Sequence, residues 1–526
     1  MFVPWSGNSP VVASSSFQIE SGPDGTPCPS VTLPFAPGFT AGTTNPQAGG
    51  FSPFTMTLSR HDGEQNISVV DVTMPPGLLG VLKNVEQCPE AQANTGTCPA
   101  ASQIGHAIVC AGAGSDPLVI PQPGEPEIPI YLTGPYGGAP FGLSIVTPAI
   151  AGPFDLGTVV VRALIHIDPN TAQVTVTTDP LPQILDGVPI RLRTINAVID
   201  RPGFTFNPTN CEPMSVTGTV ASAEGASAAV SSRFQVTNCA GLKFAPKFTV
   251  STQGKASKLN GASLHVKLTF PHPGPQSGSQ SGEANIRSVH VQLPKSLPAR
   301  LTTLQKACTA AQFEANPAGC PKESIVGQAI AHTPILNAPL QGPAYFVSHG
   351  GAKFPELILV LQGEGITIDL AGETDIKHGV TTSTFAHVPD APVTSFELAL
   401  PQGPFSALAA NGNLCTQNLV MPTEFVAQNG ATLSQNTHIE VEGCSNTLSV
   451  ESKSLKGHTL TLKISVPAAG SVKASGKHLS SASKSSGGRE TITVRLHVKK
   501  HGKTKVKVSF SPKSGKHLAK SVSLKV

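Results

Sequence analysis

The chain has 526 residues, enough for three or four domains, yet only 13% are charged, roughly half the usual globular share. Gly and Pro are plentiful at 51 and 48 residues, which favours short strands broken by turns and works against long helices. Three Tyr, one Trp and five Met leave few stacking platforms for sugars or bases. No stretch of eighteen uninterrupted apolar residues occurs. The richest, from Gly142 to Ile167, is broken by Pro148, Pro153, Asp155 and Arg162, so no membrane span is expected.

Residues 1–28 echo the end of a later unit. Ser15-Ser-Phe-Gln-Ile19 before Cys28 matches Ser232-Arg-Phe-Gln-Val236 before Cys239, so this segment reads as the last strand of an earlier unit whose start is absent. No basic and apolar leader follows Met1.

From residue 29 onward the chain repeats itself. Phe35-Ala-Pro-Gly-Phe-Thr returns as Phe244-Ala-Pro-Lys-Phe-Thr, and Cys98-Pro-Ala-Ala-Ser-Gln-Ile-Gly-His-Ala-Ile returns as Cys320-Pro-Lys-Glu-Ser-Ile-Val-Gly-Gln-Ala-Ile. Residues 29–239 form one repeat and 240–444 the other. Each is expected to hold two β subdomains, with the first repeat dividing near 120–130. Alternating segments such as Gln173-Val-Thr-Val-Thr177 and Ile286-Arg-Ser-Val-His-Val-Gln-Leu293 predict an all-β chain of tandem, immunoglobulin-like β-sandwiches. Helical spacing occurs at Leu78, Leu82 and Val85, and at Leu301, Leu304 and Cys308. It predicts a short helix ending at the first cysteine of each close pair.

Eight of the ten cysteines keep register across the duplication, which predicts the bonds Cys88–Cys98, Cys211–Cys239, Cys308–Cys320 and Cys415–Cys444. Each would contribute about 3 kcal/mol by restricting the unfolded chain. With no CxxC and no paired CxxH, no metal site is expected. Cys28 and Cys110 are left over, and Cys28 has lost its partner with the absent start of the earlier unit unless it pairs with Cys110. This usage implies an oxidising compartment.

Candidate chemistry is sparse. Asp168, Asp179, Asp186 and Asp200, with Arg191, Arg193 and Arg201 nearby, form the densest polar group, and a glycosidase would need two such carboxylates across a cleft. Their contexts, Asp168-Pro-Asn, Asp179-Pro and Asp186-Gly, are those of turn formers. Arg60-His-Asp-Gly-Glu-Gln65 reads as a hairpin tip. His332, His349, His378 and His387 have no ligand spacing. No nucleophile elbow, P-loop, dinucleotide fingerprint or His-Glu-x-x-His is present, and no cofactor is expected.

The last segment, 445–526, changes character. It holds 17 Lys or Arg against Glu451 and Glu490, a net +15, and leaves 1–444 with a net charge of −11. Its alternation predicts a small immunoglobulin-like sandwich with a lysine-rich outer face, and Ser480 to Gly488 a mobile loop. Lys499, Lys500, Lys503, Lys505, Lys507, Lys513, Lys516 and Lys520 are candidate polyanion contacts. Without Tyr or Trp there, base-stacking recognition of nucleic acid is not expected.

Ser21-Gly-Pro-Asp-Gly-Thr-Pro-Cys28, Arg60-His-Asp-Gly-Glu-Gln65, Gly152-Pro-Phe-Asp-Leu-Gly157, Asp200-Arg-Pro-Gly-Phe-Thr-Phe-Asn-Pro-Thr-Asn-Cys211 and Pro389-Asp-Ala-Pro-Val-Thr-Ser-Phe396 resemble segments of very large exported proteins of high-GC Gram-positive bacteria. The resemblance spans about 15–444 and implies a secreted or wall-associated location, with no activity attached. The expectation is a non-enzymatic surface protein, structural, adhesive or polymer-binding, tethered to anionic envelope polymer by its basic end. The alternatives are a polymer-acting hydrolase using Asp168 to Asp200, and an extracellular ligand-binding receptor.

Overall fold

A computed structural model describes residues 1–19, 21, 25, 32–83, 85–114, 116–271, 282–351, 353–444, 447–513 and 517–526. The chain is all-β, and its strands assemble into three bodies.

The first repeat contains β1 (Gly38–Thr43), β2 (Phe54–Ser59), β3 (Ile67–Thr73), β4 (Gln103–Ala111), β5 (Ile128–Thr133), β6 (Phe141–Ala151), β7 (Phe154–Ile167), β8 (Val174–Thr178), β9 (Leu192–Ile199), β10 (Met214–Ser222) and β11 (Ser227–Phe234). Hydrogen bonding joins them in the order β1-β2-β9-β4-β5-β6-β7-β8-β3-β10-β11, with the short Leu118–Ile120 on β4. The second repeat contains β12 (Lys247–Gln253), β13 (Leu264–Thr269), β14 (Ile286–Gln292), β15 (Ile325–His332), β16 (Leu340–Ser348), β17 (Glu356–Gly363), β18 (Ile366–Lys377), β19 (Val380–Phe385), β20 (Ser395–Leu400), β21 (Val420–Ala427) and β22 (Thr432–Glu442). Its order, β12-β13-β20-β15-β16-β17-β18-β19-β14-β21-β22, is that of the first repeat strand for strand.

Both sheets close on themselves. Eleven strands whose neighbours all run antiparallel must bring the first and last into parallel contact. In the second repeat β12 pairs parallel with β22, from Val250↔Ile439 to Gln253↔Glu442. In the first, Ser232 Oγ bonds both N and O of Ala41 at 2.9 and 3.0 Å, and the seam continues as a parallel bridge between Gln47 and Thr237. Opposite walls of each ring face one another across an apolar interior, as the layers of a sandwich do. The division expected near 120–130 is absent as a sheet break. β2 and β4, from before it, both pair with β9, from after it.

Alternation sends every second side chain inward. On β17, Leu357, Leu359 and Leu361 point into the ring. The outward Ile358 and Val360 are also buried, under a clip made by Cys308, Phe313 and Cys320. The clip contains α3 (Ala310–Ala315), and α2 (Leu301–Leu304) precedes it. In the first repeat the matching helix, α1 (Glu90–Thr95), also lies inside the disulfide loop rather than over Leu78 to Val85. There Pro75-Pro-Gly77 and Gly80 disfavour a helix, and Leu79–Gly80 pairs instead with Thr205–Phe206. The Asp62-Gly63 step is a turn, with Gly63 at φ +84, but not a hairpin tip. β2 and β3 pair with β1 and β9, and with β8 and β10, respectively.

The four disulfides are Cys88–Cys98, Cys211–Cys239, Cys308–Cys320 and Cys415–Cys444, with Cα separations of 5.4 to 5.9 Å. Gly254 lies against the last of these, where a Cβ would stand 2.4 and 2.5 Å from the two sulfurs. Cys110 carries a free, partly exposed thiol, and Cys28 lies outside the described residues.

The C-terminal body is a sandwich of two sheets around its own core. Its strands are β23 (Ser449–Lys456), β24 (Thr459–Val466), β25 (Gly470–Gly476), β26 (Ala482–Ser486), β27 (Glu490–His497), β28 (Lys503–Pro512) and β29 (Leu518–Lys525). They form β23-β24-β27 and β26-β25-β28-β29. The segment expected to be a mobile loop at Ser480 to Gly488 contains β26, which pairs with β25 over five residues. Within residues 1–19, Phe2 and Val11 form an antiparallel bridge. No helix among the described residues is long and apolar enough to cross a membrane.

Candidate functional site

The four candidate aspartates serve separate turns. Asp168 Oδ1 accepts from the amides of Asn170 and Thr171 and from the Thr171 hydroxyl at 2.8 to 3.0 Å, and these bonds hold its carboxyl below the usual range against the opposing effect of burial. Asp179 accepts from the Tyr136 hydroxyl at 2.5 Å. Asp186 and Gly187, at φ +47 and +81, are the two-residue tip between Ile184–Leu185 and Val188–Pro189. Asp200 lies 3.4 Å from His106 Nδ1, which is also 3.5 Å from Glu127. No two of the four share a partner. Arg193 pairs with Asp62 at 3.6 Å and Arg201 donates to the carbonyls of Ala101 and Gln103, so these cations brace loops. His349 lies 3.1 Å from Glu356, and His378 occupies a turn at φ +52. Among the described residues no group of acids, histidines and cysteines could hold a metal.

The buried carboxylate that does stand out is Asp390, in the Pro389-Asp-Ala-Pro segment. It accepts from the Thr209 amide at 2.8 Å, the Thr209 hydroxyl at 2.6 Å and Asn285 Nδ2 at 2.7 Å. Burial pushes its carboxyl above the usual range, and the donated bonds pull against that shift. Thr209 lies in the Asp200-to-Cys211 segment, so the two motifs meet as a lock between repeats. Around it, the amides of Leu82 and Lys83 both donate to Ile335 O at 2.9 Å, and Asp369 N donates to Pro169 O at 2.7 Å.

This junction makes the two interiors one apolar system. A single hydrophobic core runs from Ile104, Leu132 and Phe141 in the first ring to Leu264, Phe346 and Leu359 in the second. Within it is a cavity of about 410 Å³, lined by both repeats. A second, of about 420 Å³, fills the first ring. The two share Phe54, Met74, Leu143, Val176 and Ile199 as common lining. Each falls in the ~300–1,000 Å³ range of ligand pockets. Side chains lining a space of this size lack dispersion partners on one side until something fills it. Water is a poor filler, because a buried water needs two to four polar partners. Polar side chains are few in this lining, and one of them, Ser383 Oγ on β19, is buried without a hydrogen-bond partner. The cavities escape a motif search because their walls are ordinary alternating strands. They depend on which strands face one another around the ring.

The candidate polyanion residues lie on the C-terminal sandwich. Lys503, Lys505 and Lys507 stand in a row on the outer face of β28, while Thr504, Val506 and Val508 between them point into the core. Lys525 pairs across from Lys503. Lys499, Lys500, Lys513 and Lys520 are exposed, and Lys516 lies outside the described residues. Lys473 on β25 and Lys463 and Arg495 on the other sheet extend positive charge around the body.

No family model matches the chain, and no curated protein matches it. Among solved structures, it superposes on a tetra-tandem repeat from the extending region of a large adhesion protein, with 9% identity, TM-score 0.19, and 93% of this chain and 99% of that one covered. It also superposes on the BSP domain of a biofilm-associated protein, with 9% identity, TM-score 0.16, and 98% and 84% covered. A third is BcpA, the major pilin subunit of Bacillus cereus, with 9% identity, TM-score 0.18, and 87% and 95% covered. Superpositions this loose carry nothing about function.

Proposed function

We propose that the protein is a non-catalytic extracellular or envelope-associated protein, held on an anionic polymer by its C-terminal sandwich, with the paired rings projecting outward. The carrying observation is the Lys503, Lys505 and Lys507 row on a body that has its own core. Among the described residues none of these lysines is paired with a carboxylate, so their charge is available to a partner. Four disulfides suit an oxidising compartment outside the cytosol. Lysine outnumbers arginine fifteen to two in 445–526, which favours diffuse attraction to a flexible polyanion over bidentate reading of one phosphate geometry.

The test compares the full chain, a chain ending at Cys444, and the triple variant Lys503→Glu, Lys505→Glu, Lys507→Glu on purified cell walls. The full chain is expected to be retained in low salt and released as screening shortens to ~3 Å near 1 M salt. The chain ending at Cys444 should not be retained, and the triple variant should be released at lower salt than the full chain. Equal retention of all three would reduce the sandwich to a solubility device, and retention indifferent to salt would point to a specific pocket instead.

A further inference from the structure

We propose that the joined interior of the two rings binds a long, single-chain, uncharged lipid, a hydrocarbon bearing one hydroxyl or carbonyl oxygen that hydrogen-bonds to Ser383. Shape argues for length. Two cavities of about 410 and 420 Å³ adjoin through a common lining and run along both repeats, which suits a flexible chain better than a compact ring system. Chemistry argues for hydrocarbon, because the lining is almost wholly aliphatic and aromatic.

The polar group is set by what the walls offer. Ser383 Oγ is closed off from solvent and has no partner among the described residues, a state that costs free energy until a ligand atom supplies one. Thr374, directly opposite it on β18, is a second hydroxyl lining the same cavity. Neither cavity has Lys, Arg or His in its described lining, and the one ionisable side chain there is Glu283. A carboxylate or phosphate head would be buried without a counter-charge, so the interior selects a neutral amphiphile over a fatty acid. This site is independent of the lysine-faced sandwich and stands or falls separately from it.

The experiment uses the full chain, stripped of bound lipid on a hydrophobic resin, with N-phenyl-1-naphthylamine as an uncharged fluorescent probe. Saturable uptake is expected, with displacement by hexadecan-1-ol and little by hexadecanoate at pH 8. Ser383→Ala should weaken hexadecan-1-ol about fivefold, leave displacement by hexadecane unchanged, and raise the melting temperature of the lipid-free protein, because an unpartnered buried hydroxyl has gone. Val291→Trp, beside Ser383 on β14, should intrude on the cavity at that hydroxyl and weaken uptake about tenfold in protein that keeps its β spectrum. Absence of saturable uptake by folded wild type overturns the proposal, as does uptake unchanged in folded Val291→Trp. Displacement by hexadecanoate equal to that by the alcohol overturns the neutral-head assignment, and unchanged hexadecan-1-ol affinity in Ser383→Ala overturns the role of that hydroxyl.

Discussion

Asp369 sits in an environment that fits a carboxylate poorly. It lies on β18 at the junction, its amide spent on Pro169, and its Oδ1 is closed off from solvent with no partner among the described residues. Burial therefore pushes its carboxyl above the ordinary value of 3.8. For an acid this means the folded state resists ionisation. Stability is full below the unfolded value and declines as pH rises through the folded one. Asp369→Asn should thus stabilise the protein at pH 8 by roughly 1 kcal/mol, because the amide has no charge to bury, with the gain vanishing near pH 3. Urea titrations at the two pH values measure it. A gain that persists at low pH would mean that packing, not charge, is responsible. Nothing in the sequence marks Asp369 or Ser383, because each sits in an ordinary alternating strand. Asp390 lies in a segment noticeable for its two prolines, yet its partners Thr209 and Asn285 are 181 and 105 residues away.

At the scale of elements, the two clips solve one problem with opposite chemistry. In the second repeat Phe313 packs edge-on to Tyr345, 5.7 Å between centroids, over the outward face of β17. In the first, Arg162 is buried beneath α1. It bonds both Glu90 oxygens at 3.1 and 3.2 Å, donates to Asn94 Oδ1 and stacks 4.1 Å over the Tyr136 ring. The Arg162 bond holds the Glu90 carboxyl below its ordinary 4.5, so the contribution is present above that value and is lost as pH falls through the lowered one. Glu90 is 53% exposed, so about 1 kcal/mol is at stake. Hydrogen exchange around α1 should accelerate roughly fivefold below pH 4, while α3, whose clip is apolar, stays unchanged and serves as an internal control. Equal acceleration of both would refute the ion pair as cause. Strand content was legible here because alternation is local. Strand partners were not: β2 and β3 look like one hairpin around Asp62-Gly63 and instead sit in different parts of the ring. The expected helix near Leu78 failed for a similar reason, since tertiary pairing of Leu79–Gly80 outweighed a weak spacing signal.

For the whole molecule, the C-terminal sandwich has its own sixteen-residue buried core, from Leu448 to Val526, and should melt as a separate unit. Residues 445–526 alone should give a cooperative transition that coincides with one transition of the full chain, while the rings, joined by a common core and the Asp390 lock, should melt together. Three independent transitions would show that the lock does not couple the repeats. The charge break after Cys444 is readable from the chain. Ring closure was not, since it rests on pairings such as Val250 with Ile439, which no local pattern encodes. The cavities follow from that closure and were hidden with it.

The parallel seam also bears on tension. Because β12 opens the second ring and β22 ends it, and the two run side by side in the same direction, a pull on the flanking chain drags them past each other lengthwise. The backbone bonds from Val250 to Glu442 would then yield together instead of one at a time, and the Cys415–Cys444 bond pins the exit of β22 beside Gly254. Resistance to such a load is governed by an unfolding rate rather than by equilibrium stability. A molecule anchored at one end and drawn on at the other would find its strongest grip at the place where each ring begins and finishes.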